Sequence, residues 1–252
     1  MNEILARIPR FRLLLITATA LAAPLASAAA SPLSAQSGIA EREGRSMKIG
    51  IIGAGTMGGG IGQLWADAGH QILYSSRSPS ELMDLVQSGA PRASAGYADA
   101  AAYFGDVILL AVPPSATPQI AQDFGQLMRG KVVIDLSNPR LDRDGPITTE
   151  WLEMGTGLAM AQYLPGVRLV RAFNTLGSRM LREAHRQGEL IGVPIAGDDE
   201  DAVAIAVTLV RDAGFDPVVV GPLARAKEFD RNTPVYVTGM TAREIRETLG
   251  LR

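Results

Sequence analysis

Residues 47 to 77 read MKIGIIGAGTMGGGIGQLWADAGHQILYSSR, in which a strand, a glycine turn, a helix and a second strand follow one another. Lys48 to Ile52 is a short apolar run of the kind that forms a strand covered on both faces. It leads into Gly53-Ala54-Gly55-Thr56-Met57-Gly58, a G-x-G-x-x-G turn. In such a turn the first glycine makes the tight bend, the second lets the backbone approach a pyrophosphate, and the third lets helix lie close on strand. The helix predicted from about Thr56 to Ala68 carries Ile61, Leu64, Trp65 and Ala68 at helical spacing, and Gly69 closes it before a strand at Gln71 to Tyr74. Taken alone, a glycine-rich turn is compatible with a simple bend. Here a strand precedes it and a helix follows, so the free N–H groups of the helix point to where a pyrophosphate would lie.

The end of the second strand narrows the ligand. About 20 residues beyond the glycines, an NAD site carries an Asp or Glu that accepts from the ribose 2′-hydroxyl. This chain has Ser75-Ser76-Arg77 there, two hydroxyl donors and a guanidinium. Those groups suit a 2′-phosphate and leave the NAD hydroxyl without its acceptor, so NADP is favoured over NAD.

With 252 residues, 47% of them apolar, the chain can bury one large core. A formal charge of −2 and the lack of any Lys/Arg run give no footprint for nucleic acid. The start differs from the rest. Arg7, Arg10 and Arg12 precede an apolar run from Leu13 to Leu25 and small-x-small patterns at Ala26-Ser27-Ala28 and Ala28-Ala29-Ala30. That layout predicts a secretory signal and an exported protein, with no stable membrane span because the run is too short. The competing reading takes Met47 as the true start and the protein as cytoplasmic. The absence of cysteine suits either compartment. The expected division is signal and leader at 1–36, a linker at 37–46, an NADP-binding domain at 47–178 and an α/β extension at 179–252 that completes the acceptor site.

Strand and helix patterns keep alternating after residue 77, which predicts an α/β fold of Rossmann type, a doubly wound, mostly parallel sheet. Further strands are expected at Arg92 to Ser94, Asp106 to Val112, Lys131 to Leu136, Val167 to Phe173, Ile191 to Ala196 and Asp216 to Val220. Helices are expected at Glu81 to Gln87, Tyr97 to Tyr103, Thr117 to Leu127, Leu158 to Leu164, Arg179 to Arg186, Asp201 to Ala213 and Thr241 to Leu249. This C-terminal part is not the long all-helical domain that many imine and hydroxyacid reductases carry. In open parallel sheets ligands bind beyond the carboxyl ends of the strands. The loops to inspect are therefore Gly53–Met57, Ser75–Arg77, Pro113–Ser115, Ser137–Arg140, Asn174–Ser178, Gly197–Asp199 and Gly221–Leu223.

No side chain is assigned a catalytic role. His70 falls at the opposite edge of the sheet and His185 at the end of a surface helix, so both read as structural. Asp198-Asp199-Glu200-Asp201 reads as a helix cap rather than a metal site, and no metal ligands are assigned. Any chemistry would be the cofactor's.

The stretches GIIGAGTMG, AGHQILYSSRSP, LLAVPPSA, VVIDLSNP, LVRAFNTL, VPIAGDD and VVVGPLARAKEFD are together similar to the NADPH-dependent reductases of the deazaflavin coenzyme F-420. The cytosolic domains of transmembrane metalloreductases resemble the same family. This resemblance covers Met47 to about Asp230. It implies that Gly55, Thr56 and Met57 wrap the pyrophosphate and that Ser76 and Arg77 hold the 2′-phosphate; Gly53, Ala54 and Ser75 join this cofactor-binding set through the glycine turn and strand-end pattern read above. Val112 and Pro113 would line the nicotinamide side, and Asn138, Asn174, Thr175 and Leu223 would face the hydride acceptor. The cofactor implied is NADP(H) and the partner a small redox acceptor, a deazaflavin or a flavin, with a homodimer as the possible assembly. An NADPH-dependent reductase of a small carbonyl or imine stays open, as does a nucleotide-binding module without turnover.

Overall fold

The computed structural model describes residues 46–251. The predicted signal and leader lie outside the described residues. Five strands, β1 (Lys48–Ile52), β2 (Gln71–Ser75), β3 (Ala93–Gly96), β4 (Val107–Leu110) and β5 (Val132–Asp135), run parallel. β6 (Arg168–Arg171) continues them, and β7 (Gly192–Gly197) pairs antiparallel to it before β8 (Asp216–Gly221) returns parallel to β7. The order β3-β2-β1-β4-β5-β6-β7-β8 makes one eight-stranded sheet. From β1 the chain winds one way to β3 and the other way to β5, so the topological switch point lies between β1 and β4, beside the glycine turn. The stretch after residue 178 extends the same sheet.

Alternation along each strand divides the core. Ile49 and Ile51 join Ile61 and Trp65 of α1 (Thr56–Asp67) on one face, with Ala206, Leu209 and Val210 of α8 (Glu200–Asp212). Ile52, Ile108, Leu110 and Val133 face the other way, toward Ala101 and Ala102 of α3 (Ala98–Phe104) and Met128 of α4 (Thr117–Met128). Trp151 of α6 (Ile147–Met154) and Met160 of α7 (Thr156–Tyr163) close that side. A third cluster gathers Val218, Val220 and Phe229 under Ala242 and Ile245 of α9 (Ala242–Thr248). Among the described residues no helix is long and apolar enough to cross a membrane.

Several boundaries differ from expectation for local reasons. The helix expected at Arg179 to Arg186 is only a 3-10 turn at Met180–Glu183. Arg179, Arg182 and Glu183 are charged and exposed, and the His185 N–H donates to the carbonyl of Gly214 at 3.0 Å with φ +56, which no helix permits. His185 thus ends a loop, not a helix. The first two residues of the helix expected at Glu81 to Gln87 belong to a 3-10 turn at Pro79–Leu82, and the rest lie in α2 (Met83–Ser88). Two helices were not expected, α5 (Leu141–Asp144) and α6; they flank Pro146 in a segment with no long apolar period. β6 ends two residues short of Phe173, which is fully buried at φ +64 and turns the chain out of the sheet.

Asp199 caps α8 as expected, its side chain accepting from the Ala202 N–H at 2.8 Å. The Arg168 guanidinium beside it, with that cap bond, brings the Asp199 carboxyl down to about 2. A lowered acid stabilises the fold above its unfolded pKa and ceases to do so as pH falls through the folded value. Asp199→Ala is therefore expected to unfold at lower denaturant than wild type at pH 7. The gap should shrink as pH falls from about 4 to about 2; a gap that stays constant would show that the carboxylate charge contributes nothing.

Candidate functional site

The glycine turn has the geometry its sequence implies. Gly53 stands at φ +98, and a Cβ there would come within 2.6 Å of the Ala111 carbonyl and 2.9 Å of Val112 Cγ1. At Gly58 a Cβ would lie 2.3 Å from the Gly53 carbonyl, so this residue sets how closely α1 lies on the turn. Gly55 is different, because a Cβ there would meet nothing within 4 Å. The turn is therefore open at this residue. Gly55 is also the N-cap of α1, no side chain caps that helix, and its first turn carries no acid. The first N–H groups of α1 are thus offered outward with their partial positive charge uncompensated. A pyrophosphate fits a cradle of this kind. Ala54, by contrast, is held in the sheet through its N–H to the Ser75 carbonyl at 2.9 Å.

The end of β2 separates its three polar residues. Ser75 is buried and its hydroxyl donates to the Ile51 carbonyl at 2.7 Å, so it braces β1 against β2 instead of facing solvent. The Ser76 hydroxyl accepts from the Ser78 N–H at 3.0 Å, which shapes the turn and leaves its proton to donate. Arg77 is exposed and makes no ion pair or hydrogen bond among the described residues.

Across the switch point the loops after β4, β5 and β6 meet. Val112 lies against Gly53, and Pro113 opens a 3-10 turn at Pro114–Ala116. Ser115 in that turn donates from its hydroxyl to Asp144 at 2.9 Å. Burial opposes ionisation of Asp144, but hydrogen bonds from Arg143, Arg140 and Ser115 outweigh it and hold the carboxyl below its usual range. Asn138 donates to the Asn174 carbonyl at 2.8 Å, and Asn174 donates to the Phe229 carbonyl at 2.9 Å. Both amides therefore tie loops together. Among the described residues Asn174 Oδ1 and Thr175 Oγ1 are buried without a partner, the kind of atom that a bound group or ordered water satisfies. Leu223 is buried and its N–H donates to Asp198 at 2.9 Å. The structure thus groups Gly53 to Met57 with Ser76 and Arg77 on one side, and Asn138, Asn174 and Thr175 on the other.

Beneath the second group lies a feature that sequence reasoning missed. Arg171, fully buried, donates through Nη1 to Asp135 Oδ2 at 2.6 Å, through Nε to Asp230 Oδ1 at 2.8 Å and through Nη2 to the Ser137 carbonyl at 2.8 Å. Asp135 and Arg171 are register partners on β5 and β6. An Asp ending the apolar strand β5 and an Arg following Leu169 and Val170 in β6 were the available signal. Burial pushes the Asp135 carboxyl up, against the pull of Arg171.

His70 is structural as expected, its Nδ1 accepting from the Met47 N–H at 3.1 Å and its Nε2 meeting Asp212 at 3.1 Å. Among the described residues no group of His, Asp or Glu is arranged to hold a metal. A concavity of about 640 Å³ opens between Asp67, Gln71 and Arg92, at the amino edge of the sheet, away from every strand end considered above.

Residues 48–139 match the family described as NADP oxidoreductase, coenzyme F420-dependent. The F420-dependent NADP reductase of Methanothermobacter thermautotrophicus is 25% identical over 205 residues, which cover 76% of this chain and 88% of that protein. Metalloreductase STEAP3 of Rattus norvegicus is 28% identical over 196 residues, 76% of this chain but 37% of the relative, so the chain spans little more than a third of its length. Among solved structures, a hypothetical protein of Sinorhizobium meliloti is 25% identical with a TM-score of 0.64, covering 84% of this chain and 99% of that one. The chain thus resembles the F420-dependent NADP reductases over most of the described residues, and the likeness supports an NADP-dependent oxidoreductase.

Proposed function

We propose that this protein passes hydride between NADPH and a flat redox acceptor of deazaflavin or flavin type. The observation that carries the reading is the open side of Gly55 at an uncapped helix N-terminus, with Ser76 and the unpaired Arg77 at the end of the neighbouring strand. When bound, NADPH supplies the hydride. The chain's own part is to bind and orient. Backbone N–H groups of Gly55, Thr56 and Met57 take the pyrophosphate, and Ser76 and Arg77 take the 2′-phosphate. Val112 and Pro113 wall the nicotinamide side, while Asn138, Asn174, Thr175 and Leu223 form the acceptor side. The relative's printed name, F420-dependent NADP reductase, supports the deazaflavin class.

Arg77→Ala is expected to weaken NADPH binding by about 1.5–3 kcal/mol, the range for a hydrogen bond to a charged group, and to leave NADH nearly unchanged. Calorimetric titration of both cofactors checks this, and equal losses would remove the NADP assignment. Wild-type protein starting at Met47 should oxidise NADPH with at least one of FMN, a synthetic deazaflavin or a ferric chelate. Stoichiometric NADPH binding with none of them would identify a binding module without turnover.

A further inference from the structure

Two carboxylates and one guanidinium are buried together where apolar residues would cost less. An ion pair taken out of water loses solvation that its attraction repays only with good geometry, so the cluster is poorly explained by stability alone. What distinguishes it is where its partners lie. Arg171 ends β6, Asp135 ends β5, and Asp230 directly follows the 3-10 turn Leu223–Phe229. The second oxygen of Asp135 accepts from the Ser137 N–H at 2.9 Å, and the second oxygen of Asp230 accepts from the N–H of Thr156, the first residue of α7, at 2.8 Å. Asn138 and Asn174 continue the chain of bonds to the Phe229 carbonyl. The loops after β5 and β6, the segment after β8 and the start of α7 are thereby bound to a single side chain. None of these partners belongs to the glycine turn or to the end of β2.

We infer that Arg171, through Asp135 and Asp230, is a positioning residue for the acceptor half of the site, fixing the loops of Asn138, Asn174 and Thr175 in one arrangement independently of the dinucleotide half. This rests on the reading that these loops face the acceptor. Arg171 touches neither ligand in that reading. Its planar fork satisfies three directions at once, which the single ammonium of a lysine cannot reproduce.

The test compares Arg171→Lys and the near-isosteric Asp230→Asn with wild type. Either variant serves if folded by circular dichroism, and Asp230→Asn retains the shape of the site if Arg171→Lys does not fold. The probe is whichever of FMN, a synthetic deazaflavin or ferric citrate accepts electrons in wild type. The expected result is a KM for that probe raised at least tenfold, with the dissociation constant for NADPH within twofold of wild type. An unchanged KM, or an NADPH affinity that falls by the same factor, would overturn the inference, because a general loss of stability would not spare one half of the site. If wild type oxidises NADPH with none of the probes, the functional reading fails while the positioning role stays testable by amide hydrogen exchange. Faster exchange at 137–138, 173–175 and 229–230 with unchanged protection at 53–57 supports it. A uniform increase, or none, overturns it.

Discussion

Gly55→Val is expected to fold normally and to lose both NADPH and NADH, by on the order of 100-fold or more in affinity, equivalent to about 2.8 kcal/mol. The backbone at Gly55 lies at φ −76 and ψ −162, a conformation that a β-branched residue adopts without strain. The new side chain would meet no protein atom within 4 Å at its Cβ, so nothing in the fold opposes it. What it fills is the approach to the N–H groups of α1, where the pyrophosphate must come within hydrogen-bond distance. The same substitution three residues on separates function from folding. Gly58→Val would place a Cβ 2.3 Å from the Gly53 carbonyl and 3.0 Å from Ala111 Cβ, both in fixed positions, so α1 would have to leave the turn. That variant is expected to be insoluble or molten. Thermal unfolding and calorimetric titration of the pair decide the matter. A folded Gly55→Val that binds NADPH as wild type does would place the cofactor elsewhere.

The contrast shows which part of the site is legible in one dimension. Residues 47 to 77 encode a local unit: its turn, helix and two strands are neighbours in sequence, so periodicity and three glycines suffice to predict the strand–turn–helix–strand unit that forms, and the proposed phosphate residues fall within it. Even there Ser75 is unreadable from sequence, because whether a strand-end hydroxyl faces solvent or donates to the Ile51 carbonyl depends on where β2 stops. The proposed acceptor half is built from long-range contacts. Arg171 meets Asp135 across 36 residues and Asp230 across 59, and no local pattern announces such a meeting. Phe173 adds a second reason. Its positive φ departs from the preference of a bulky aromatic residue, so the sequence predicts strand where the chain turns away and delivers Asn174 and Thr175 to the loop.

Trp65→Ala is expected to lower stability by about 3–5 kcal/mol, a large share of the roughly 5–15 kcal/mol that holds a domain of this kind together. Trp65 lies on α1, the helix whose N-terminus is the proposed phosphate site, and its ring is fully buried. Its indole N–H donates to the Leu209 carbonyl of α8 at 2.8 Å, and its ring meets Phe173 edge-to-face at a centroid distance of 5.6 Å. One side chain therefore joins the dinucleotide helix, the helix of the C-terminal extension and the turn that presents Asn174. Removing it opens a cavity at the seam between the two halves of the proposed site, surrounded by elements anchored in the sheet that cannot collapse fully into the space. Trp65→Phe isolates the ring from the hydrogen bond. The Leu209 carbonyl still accepts from the Ala213 N–H at 3.1 Å, so it is not left unsatisfied, and the loss should be well under that of the alanine variant. Urea unfolding at 25 °C reads both values, with the slope checked for constancy so that a changed unfolded state is not mistaken for a changed core. A loss below about 1 kcal/mol for Trp65→Ala would mean that the seam relaxes and that the two halves are held together through the sheet alone.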